Sequence, residues 1–211
     1  MKCFEALLNF DACLLGERIA KEEWPWKFLP KLGKEIEHLG ASLCAGEYQE
    51  VLPLVWVHKT AKIASDATLL GPCIVCENAE IRHSAFVRGN VLVGKNCVVG
   101  NSVELKNCVL FDGAKVPHLS YVGDSILGQN AHLGASVVIS NVRLDKSPIS
   151  VRMPCGKRIQ TGLKKFGAIV GDGAEIGCGS VLNPGTVVEP ATFVFPLSSV
   201  CGYVSKKENE K

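Results

Sequence analysis

A six-residue apolar period runs through most of this chain and limits what it can fold into more than any other feature. Stepping by six from Val57 lands on Val57, Ile63, Leu69, Val75, Ile81, Val87, Val93, Val99, Leu105 and Phe111. The period resumes at Leu127, Leu133 and Ile139, and again at Val170, Ile176, Leu182, Val188, Val194 and Val200. Eighteen of these nineteen positions are Ile, Leu or Val, which make up 57 of 211 residues, so chance would supply about five. The next residue is Gly at 94, 100, 128, 134, 171 and 177, read here as a turn position. The fourth residue after the aliphatic one is small or β-branched, as at Ala79, Ala85, Val103, Ala131 and Ala174. Each hexad thus offers a large inward side chain, a small inward one and a turn. Three hexads close a triangular coil of eighteen residues, and stacked coils let every strand pair above and below around a continuous apolar interior. Nineteen hexads predict about six coils, a prism about 30 Å tall at roughly 4.8 Å per coil.

Composition agrees with a mainly β chain of this kind. Hydrophobic residues make up 47% and aromatic ones only 7%, while Gly occurs 21 times, so the core must be built from small aliphatic side chains. A formal charge of +2 gives no general attraction to nucleic acid or to a membrane surface. No run of about 18 apolar residues exists, and Glu5, Asp11, Glu17 and Arg18 interrupt the first segment, so neither a signal peptide nor a membrane span is expected. Ten scattered Cys without an export signal point to reduced thiols in a cytoplasm. Cys73 and Cys76 form the one CxxC, but a zinc site needs a second pair or nearby His ligands, and the intervening Ile74 and Val75 read as strand core; no metal is expected.

Residues 1–50 stand outside the register. Phe4, Leu7, Leu8, Leu14, Leu15 and Ile19 have helical spacing, and Phe28, Leu29, Leu32, Ile36 and Leu39 form a second stripe stopped by Gly40, which predicts two short helices before the prism. Trp24, Pro25 and Trp26 lie between them, placed to staple the helices together or to the prism end. The organisation expected is a helical segment at 1–50, a prism at 51–205 with a basic inserted loop at 142–167, and a frayed tail at 206–211.

Interruptions in so regular a repeat mark where a rigid scaffold carries function. One is residues 115–121. The other runs over 141–167 and holds Arg143, Lys146, Arg152, Lys157, Arg158, Lys164 and Lys165 against a single acid, Asp145. Ile149, Val151, Met153 and Ile159 around Pro154, Cys155 and Gly156 suggest a hairpin thrown out from the prism, either a solvated loop or an arm reaching an anionic ligand. His118 lies in the first interruption, with Tyr121 and Asp124 after it and Glu104, Lys106 and Lys115 before. An imidazole titrating near neutrality suits proton abstraction from an amine or hydroxyl, although a lone His can equally be structural.

Several segments carry a more specific resemblance. Arg88-Gly-Asn, Val99-Gly-Asn-Ser-Val-Glu-Leu-Lys106, His118-Leu-Ser-Tyr-Val-Gly-Asp124 and Leu133-Gly-Ala135 resemble the acetyltransferase domain of the bifunctional glucosamine-1-phosphate N-acetyltransferase / N-acetylglucosamine-1-phosphate uridylyltransferase family. Asn141-Val-Arg-Leu-Asp-Lys, the run from Thr161 to Asp172 and Leu182-Asn-Pro-Gly185 are similar to its archaeal-type branch. The resemblance covers about residues 57–204 and implies a left-handed parallel β-helix, the hexapeptide-repeat fold. It implies that His118 is the general base deprotonating a sugar amine for attack on the thioester of acetyl-CoA. Arg88 and Lys165 would hold the sugar phosphate, and Lys106, Tyr121 and Asn141 the sugar ring. Ala135 and Cys178 would lie along the coenzyme A path, with amides near Ala135 facing the oxyanion. Members are homotrimers with sites between neighbouring prisms, and the implied pathway is that of UDP-GlcNAc.

Departures from the family pattern bear on specificity. His132 replaces an Asn that contacts the acceptor in bacterial members, which adds a second candidate proton acceptor, and Phe193, Phe195 and Pro196 make the last coil bulkier. The fifty residues before the prism are too few for a nucleotidyltransferase domain, so no such activity is expected of them. The alternatives are another acyl acceptor, a non-catalytic trimeric scaffold that binds a sugar nucleotide or a separate nucleotidyltransferase, and a zinc hydratase using His83, His118 and His132. The last is disfavoured because no two of those three stand close together in the sequence, as metal ligands usually do.

Overall fold

A computed structural model describes residues 6–153 and 155–206. The expected tail at 206–211 and the stripe residue Phe4 fall wholly or largely outside them, as does Pro154 of the hairpin. The chain forms a parallel β-solenoid with three faces. The first face carries eight rungs, starting at Val55–His58, Cys73–Val75 and Val91–Val93 and ending at Tyr203–Val204. Seven-stranded stacks form the second face, from Lys62–Ile63 to Phe193–Val194, and the third, from Thr68–Leu69 to Ser199–Val200. Tyr48–Leu52 runs antiparallel to Val55–His58 and closes the first rung.

The predicted aliphatic row is the interior. Val57, Leu69, Val75, Ile81, Val87, Val93, Val99, Leu105, Leu127, Leu133, Ile139, Val170, Ile176, Leu182, Val188, Val194 and Val200 share one core with the small residues Ala79, Ala85, Val103, Ala131, Val137 and Ala174. Cys73, Cys97 and Cys108 occupy small inward positions as well, which accounts for their scatter. The two cysteines of the CxxC separate, Cys73 into this interior and Cys76 into the layer outside it.

Two expectations about the repeat itself need correction. Residues 115–121 are no interruption: Val116 and Val122 point into the core, and the coils from Val91 to Cys108 and from Cys108 to Ser125 are each one residue shorter than the coil from Val55 to Cys73. The missing residue comes from one corner, where Glu104–Leu110 and Tyr121–Leu127 each run straight through without a break. Phe111 therefore leaves the inward row; Leu110 fills that place, and Phe111 turns outward toward Phe10, 6.4 Å between ring centroids. The two inward positions regained here, with the further rung Tyr203–Val204, carry the solenoid past six coils. The glycines after the aliphatic positions are likewise not turn glycines. A Cβ on Gly100 would overlap the Pro117 carbonyl oxygen of the next coil, so close backbone approach demands Gly there. Positive φ falls elsewhere, on Asn and Ser such as Asn78, Ser84, Asn90, Asn96 and Ser102 and on other glycines such as Gly113, Gly173 and Gly179.

The N-terminal segment does not precede the prism but covers its first face. Helices α1 (Gly16–Ala20) and α2 (Leu32–Gly40), with the 3-10 turns Phe10–Ala12 and Pro25–Lys31, bury Leu15, Ile19, Trp26, Phe28, Leu32 and Ile36. They meet the outward side chains Ile74, Leu92, Val109, Ile126, Ile169 and Val187. Rungs on this face are thus buried on both sides, which their unbroken runs of apolar residues already reflect. Trp26 stacks on Trp24 at 5.2 Å and packs 5.7 Å from Phe166, so the tryptophans staple the side of the prism, not its end. The basic excursion contains the expected hairpin, Ser150–Arg152 paired with Arg158–Gln160, but it lies against the first face with Ile149 and Val151 fully buried.

Candidate functional site

Three of the predicted site residues, Lys106, Tyr121 and Asn141, meet at the corner where the two unbroken strands run. Asn107, Asp124 and Asn141 stack there at equivalent positions of three successive coils, and Asn107 and Asp124 take positive φ. The Asp124 carboxylate, 5% exposed, accepts from Lys106 Nζ at 3.0 and 3.2 Å, from Asn107 Nδ2 at 2.8 Å and from Asn141 Nδ2. Asn141 Nδ2 also donates to the Tyr121 hydroxyl oxygen at 3.1 Å. Gly123 leaves room for this: a Cβ there would run into Tyr121 Oη and lie 2.7 Å from Asn141 Nδ2. Burial, and next the Asp124 charge, push the Tyr121 hydroxyl above its ordinary value, which keeps it protonated. One coil away, Arg88 is bound to Glu104 at 2.6 Å, and that pairing holds its guanidinium more firmly charged.

Lys165 arrives at this corner through the returning end of the excursion. Phe166 N donates to the Asn141 carbonyl at 3.0 Å and Gly167 N to the Asp124 carbonyl at 2.9 Å, so the exposed Lys165 side chain starts one residue from the clamp. Phe166 is fully buried beside Trp26. The N-terminal layer therefore fixes the backbone beside Lys165, a candidate site residue.

His118 ends the strand Lys115–His118 on the second face and is exposed, with its carbonyl tied to Ser136 N and Ser120 Oγ. No side-chain hydrogen bond of His118 is present among the described residues. The pairings Lys115 with His132 and His132 with Glu175 place His118, Ala135 and Cys178 at one position of three successive coils. Ser136 N to His118 O and Gly179 N to Ala135 O tie that column together. Cys178 opens onto a groove of about 670 Å³ lined by His132, Glu175, Phe193 and Phe195. His132 thus stands apart from the Asp124 corner, with its Nδ1 2.6 Å from Glu175 Oε2. His83 is bound to Asp66 instead, and among the described residues no group of three metal-ligating side chains converges.

Sequence reasoning marks Asp124 and Glu104 only as neighbours of His118, and it misses Asn107 and Glu175 altogether. The even recurrence of Asn107, Asp124 and Asn141, one shortened coil apart, was the available signal, hidden when the period is counted in steps of six. For Glu175 the signal was its coil register with His132, which the excursion obscures by making that coil far longer than the one from Glu175 to Phe193.

Residues 69–190 match the family model described as the GMPPB C-terminal domain. The chain belongs to that family. Among curated proteins it is 43% identical over 88 residues to the bifunctional protein GlmU of Methanococcus maripaludis, covering 42% of this chain and 21% of that one. It is 33% identical over 137 residues to a bifunctional sugar-1-phosphate nucleotidylyltransferase/acetyltransferase of Sulfurisphaera tokodaii, covering 56% and 34%. The match to these relatives spans about a fifth to a third of their length, and it bears out the GlmU-like acetyltransferase-domain resemblance carried by the motifs. A solved structure of PerB from Caulobacter crescentus in complex with CoA and GDP-perosamine overlaps 82% of this chain and 60% of its own at 17% identity and a TM-score of 0.37. Among the described residues no helix is long and apolar enough to cross a membrane.

Proposed function

We propose that this member of the GMPPB C-terminal domain family is an acetyl-CoA-dependent N-acetyltransferase acting on an amino-sugar phosphate such as glucosamine-1-phosphate. The observation that carries this reading is the column His118, Ala135, Cys178, which runs from an imidazole with no side-chain partner among the described residues to an apolar groove. Three residues along the chain from His118, Tyr121 begins the polar corner of Lys106, Tyr121, Asp124 and Asn141, with Arg88 and Lys165 at its margins. Such a corner offers charge-assisted donors for phosphate and ring hydroxyls, and the groove offers apolar cover for a pantetheine chain.

In this reading His118 takes a proton from the sugar amine as nitrogen attacks the thioester carbonyl. The amide near Ala135 stabilises the oxyanion, and collapse of the tetrahedral adduct expels the thiolate, which leaves protonated as coenzyme A. The GlmU and nucleotidylyltransferase/acetyltransferase relatives support this chemistry. We further propose a homotrimer. The exposed Leu119, Val138, Phe193, Phe195 and Leu197 lie on surfaces that the N-terminal layer leaves bare, which supports self-association with sites between prisms.

The test is thiol release from acetyl-CoA with glucosamine-1-phosphate as acceptor, beside other amino sugars. His118→Ala is expected to lower kcat by about 10²- to 10⁴-fold, the usual worth of a general base. Absence of thiol release with every amino sugar would sink the reading in favour of a non-catalytic sugar-nucleotide scaffold, for which the prior pairing of Arg88 with Glu104 and Lys106 with Asp124 speaks.

A further inference from the structure

We infer that Asp124 is a positioning residue that fixes which members of the polar corner donate and which accept, and so selects an acceptor sugar with a free ring hydroxyl facing Asn141. The inference rests on the proposed amino-sugar phosphate site and adds to it a residue that would never touch the substrate.

A carboxylate can only accept hydrogen bonds, so Asn141 must turn its NH₂ toward Asp124. The second hydrogen of the same NH₂ goes to the Tyr121 oxygen. Two consequences follow from counting donors. The Tyr121 oxygen already accepts from Asn141, so its own hydrogen is free to point outward as a donor. The Asn141 Oδ1 is turned away from the carboxylate and has no hydrogen bond among the described residues, so it is an acceptor. Lys106 has three hydrogens; with Nζ lying 3.0 and 3.2 Å from the two Asp124 oxygens, at least one hydrogen remains for a ligand. One buried carboxylate thereby sets the pattern donor, donor, acceptor across Lys106, Tyr121 and Asn141.

That pattern fits a sugar whose ring or phosphate oxygens face Lys106 and Tyr121 and whose hydroxyl gives its proton to Asn141. It rejects a sugar with an ether or a keto oxygen at that position, because two acceptors would then meet in a half-dry corner. Asp124 is also the middle rung of the Asn107, Asp124, Asn141 stack, so Asn107 Nδ2 holds it from the coil on the opposite side.

The experiment measures acceptor KM, kcat and calorimetric Kd for glucosamine-1-phosphate without acetyl-CoA, using wild type, Asp124→Asn, Tyr121→Phe and their combination. Deoxy and O-methyl analogues at each ring hydroxyl complete the panel. In Asp124→Asn the amide facing Asn141 has both a donor and an acceptor, so the orientation of Asn141 is no longer imposed. Its KM and Kd are expected to rise about tenfold with kcat within about threefold, the scale of one lost hydrogen bond plus misorientation. Wild type is expected to bind one O-methyl analogue at least about tenfold more weakly than the parent, a penalty that Asp124→Asn loses. Tyr121→Phe should cost less in the Asp124→Asn background than in wild type, the coupling that a purely structural Asp124 would not show.

An effect on kcat alone, additive costs in the double variant, or an unchanged O-methyl penalty would each overturn the inference. Should Asp124→Asn not fold with Lys106 left unpaired, Tyr121→Phe decides: unchanged acceptor KM and Kd show that the hydroxyl donates nothing and the assigned pattern is wrong. Binding of the sugar phosphate without thiol release would overturn the acetyltransferase reading alone and leave the Kd comparisons to judge Asp124. No binding by wild type would overturn both.

Discussion

Cys178 is a single side chain through which the proposed coenzyme A path can be probed. It is exposed, it follows Ala135 in the corner column, and it lines the groove beside Phe193 and Phe195. Alkylation with N-ethylmaleimide is expected to modify Cys178 and to reduce acetyl transfer more than about tenfold by filling the groove, with exposed thiols the reactive ones. Coenzyme A at ten times its Kd should slow that modification about tenfold by occupancy. Cys44, Cys155 and Cys201, also exposed but outside the groove, serve as controls whose modification coenzyme A leaves unchanged, as peptide mass spectrometry would show. At this scale much is legible without the fold: His118 stands out by type and position, and the family resemblance marks Arg88, Lys106, Tyr121 and Asn141. Their partners do not stand out. Glu104, Asp124 and Glu175 look like ordinary surface acids in one dimension, and only stacking of coils brings them to Arg88, Lys106 and His132.

Among the elements, the N-terminal layer changes most between expectation and structure. Its amphipathic stripes were readable, but not the surface they cover, because an apolar stripe states that it must be buried and not against what. The layer reaches the site through a chain of contacts: Trp26 against Phe166, Phe166 N to the Asn141 carbonyl, and Lys165 next to Phe166. Trp26→Ala removes a fully buried indole and is expected to cost about 3–5 kcal/mol in denaturant unfolding. Through the same chain it should raise the KM for the sugar phosphate more than that for acetyl-CoA, as steady-state kinetics with each substrate varied would reveal. The hairpin of the excursion is bound in the same way, with Ile149 and Val151 buried and Arg152 against Gly202, so its basic residues sit on a fixed platform and not on a free arm.

On the scale of the whole molecule, the burial of cysteines inside the coils and beneath the N-terminal layer has a consequence for alkaline stability. Burial pushes the Cys73 and Cys76 thiols up to about 12, and Cys13, Cys97 and Cys108 higher still. Above about pH 9 the unfolded chain releases these protons while the folded one keeps them, so the unfolded state binds fewer protons and stability falls as pH rises. The contribution is complete below the ordinary thiol value of 9.0 and is lost progressively toward about pH 12 for Cys73 and Cys76. Guanidinium unfolding at pH 7, 9 and 10.5 is expected to give a level value followed by a decline, and Cys73→Ala, which removes one of these five thiols, should make that decline shallower. A decline of equal slope in that variant would remove the thiol from the account.

The hexad pattern alone determined the solenoid and its inward aliphatic and small rows, because side-chain alternation and coil length are local properties that a repeat writes out in order, while the residues proposed for a sugar phosphate came from the family resemblance. Tertiary structure decided what depends on contacts between coils. The shortened coils take their length from one straightened corner, Gly100 and its counterparts are dictated by the backbone of the next coil, and the first face is closed by a layer from the far end of the chain. The same holds for the candidate site. Asn107, Asp124 and Asn141 become one stack only when three coils are laid on each other, and the buried carboxylate between the two amides draws its meaning from that stacking.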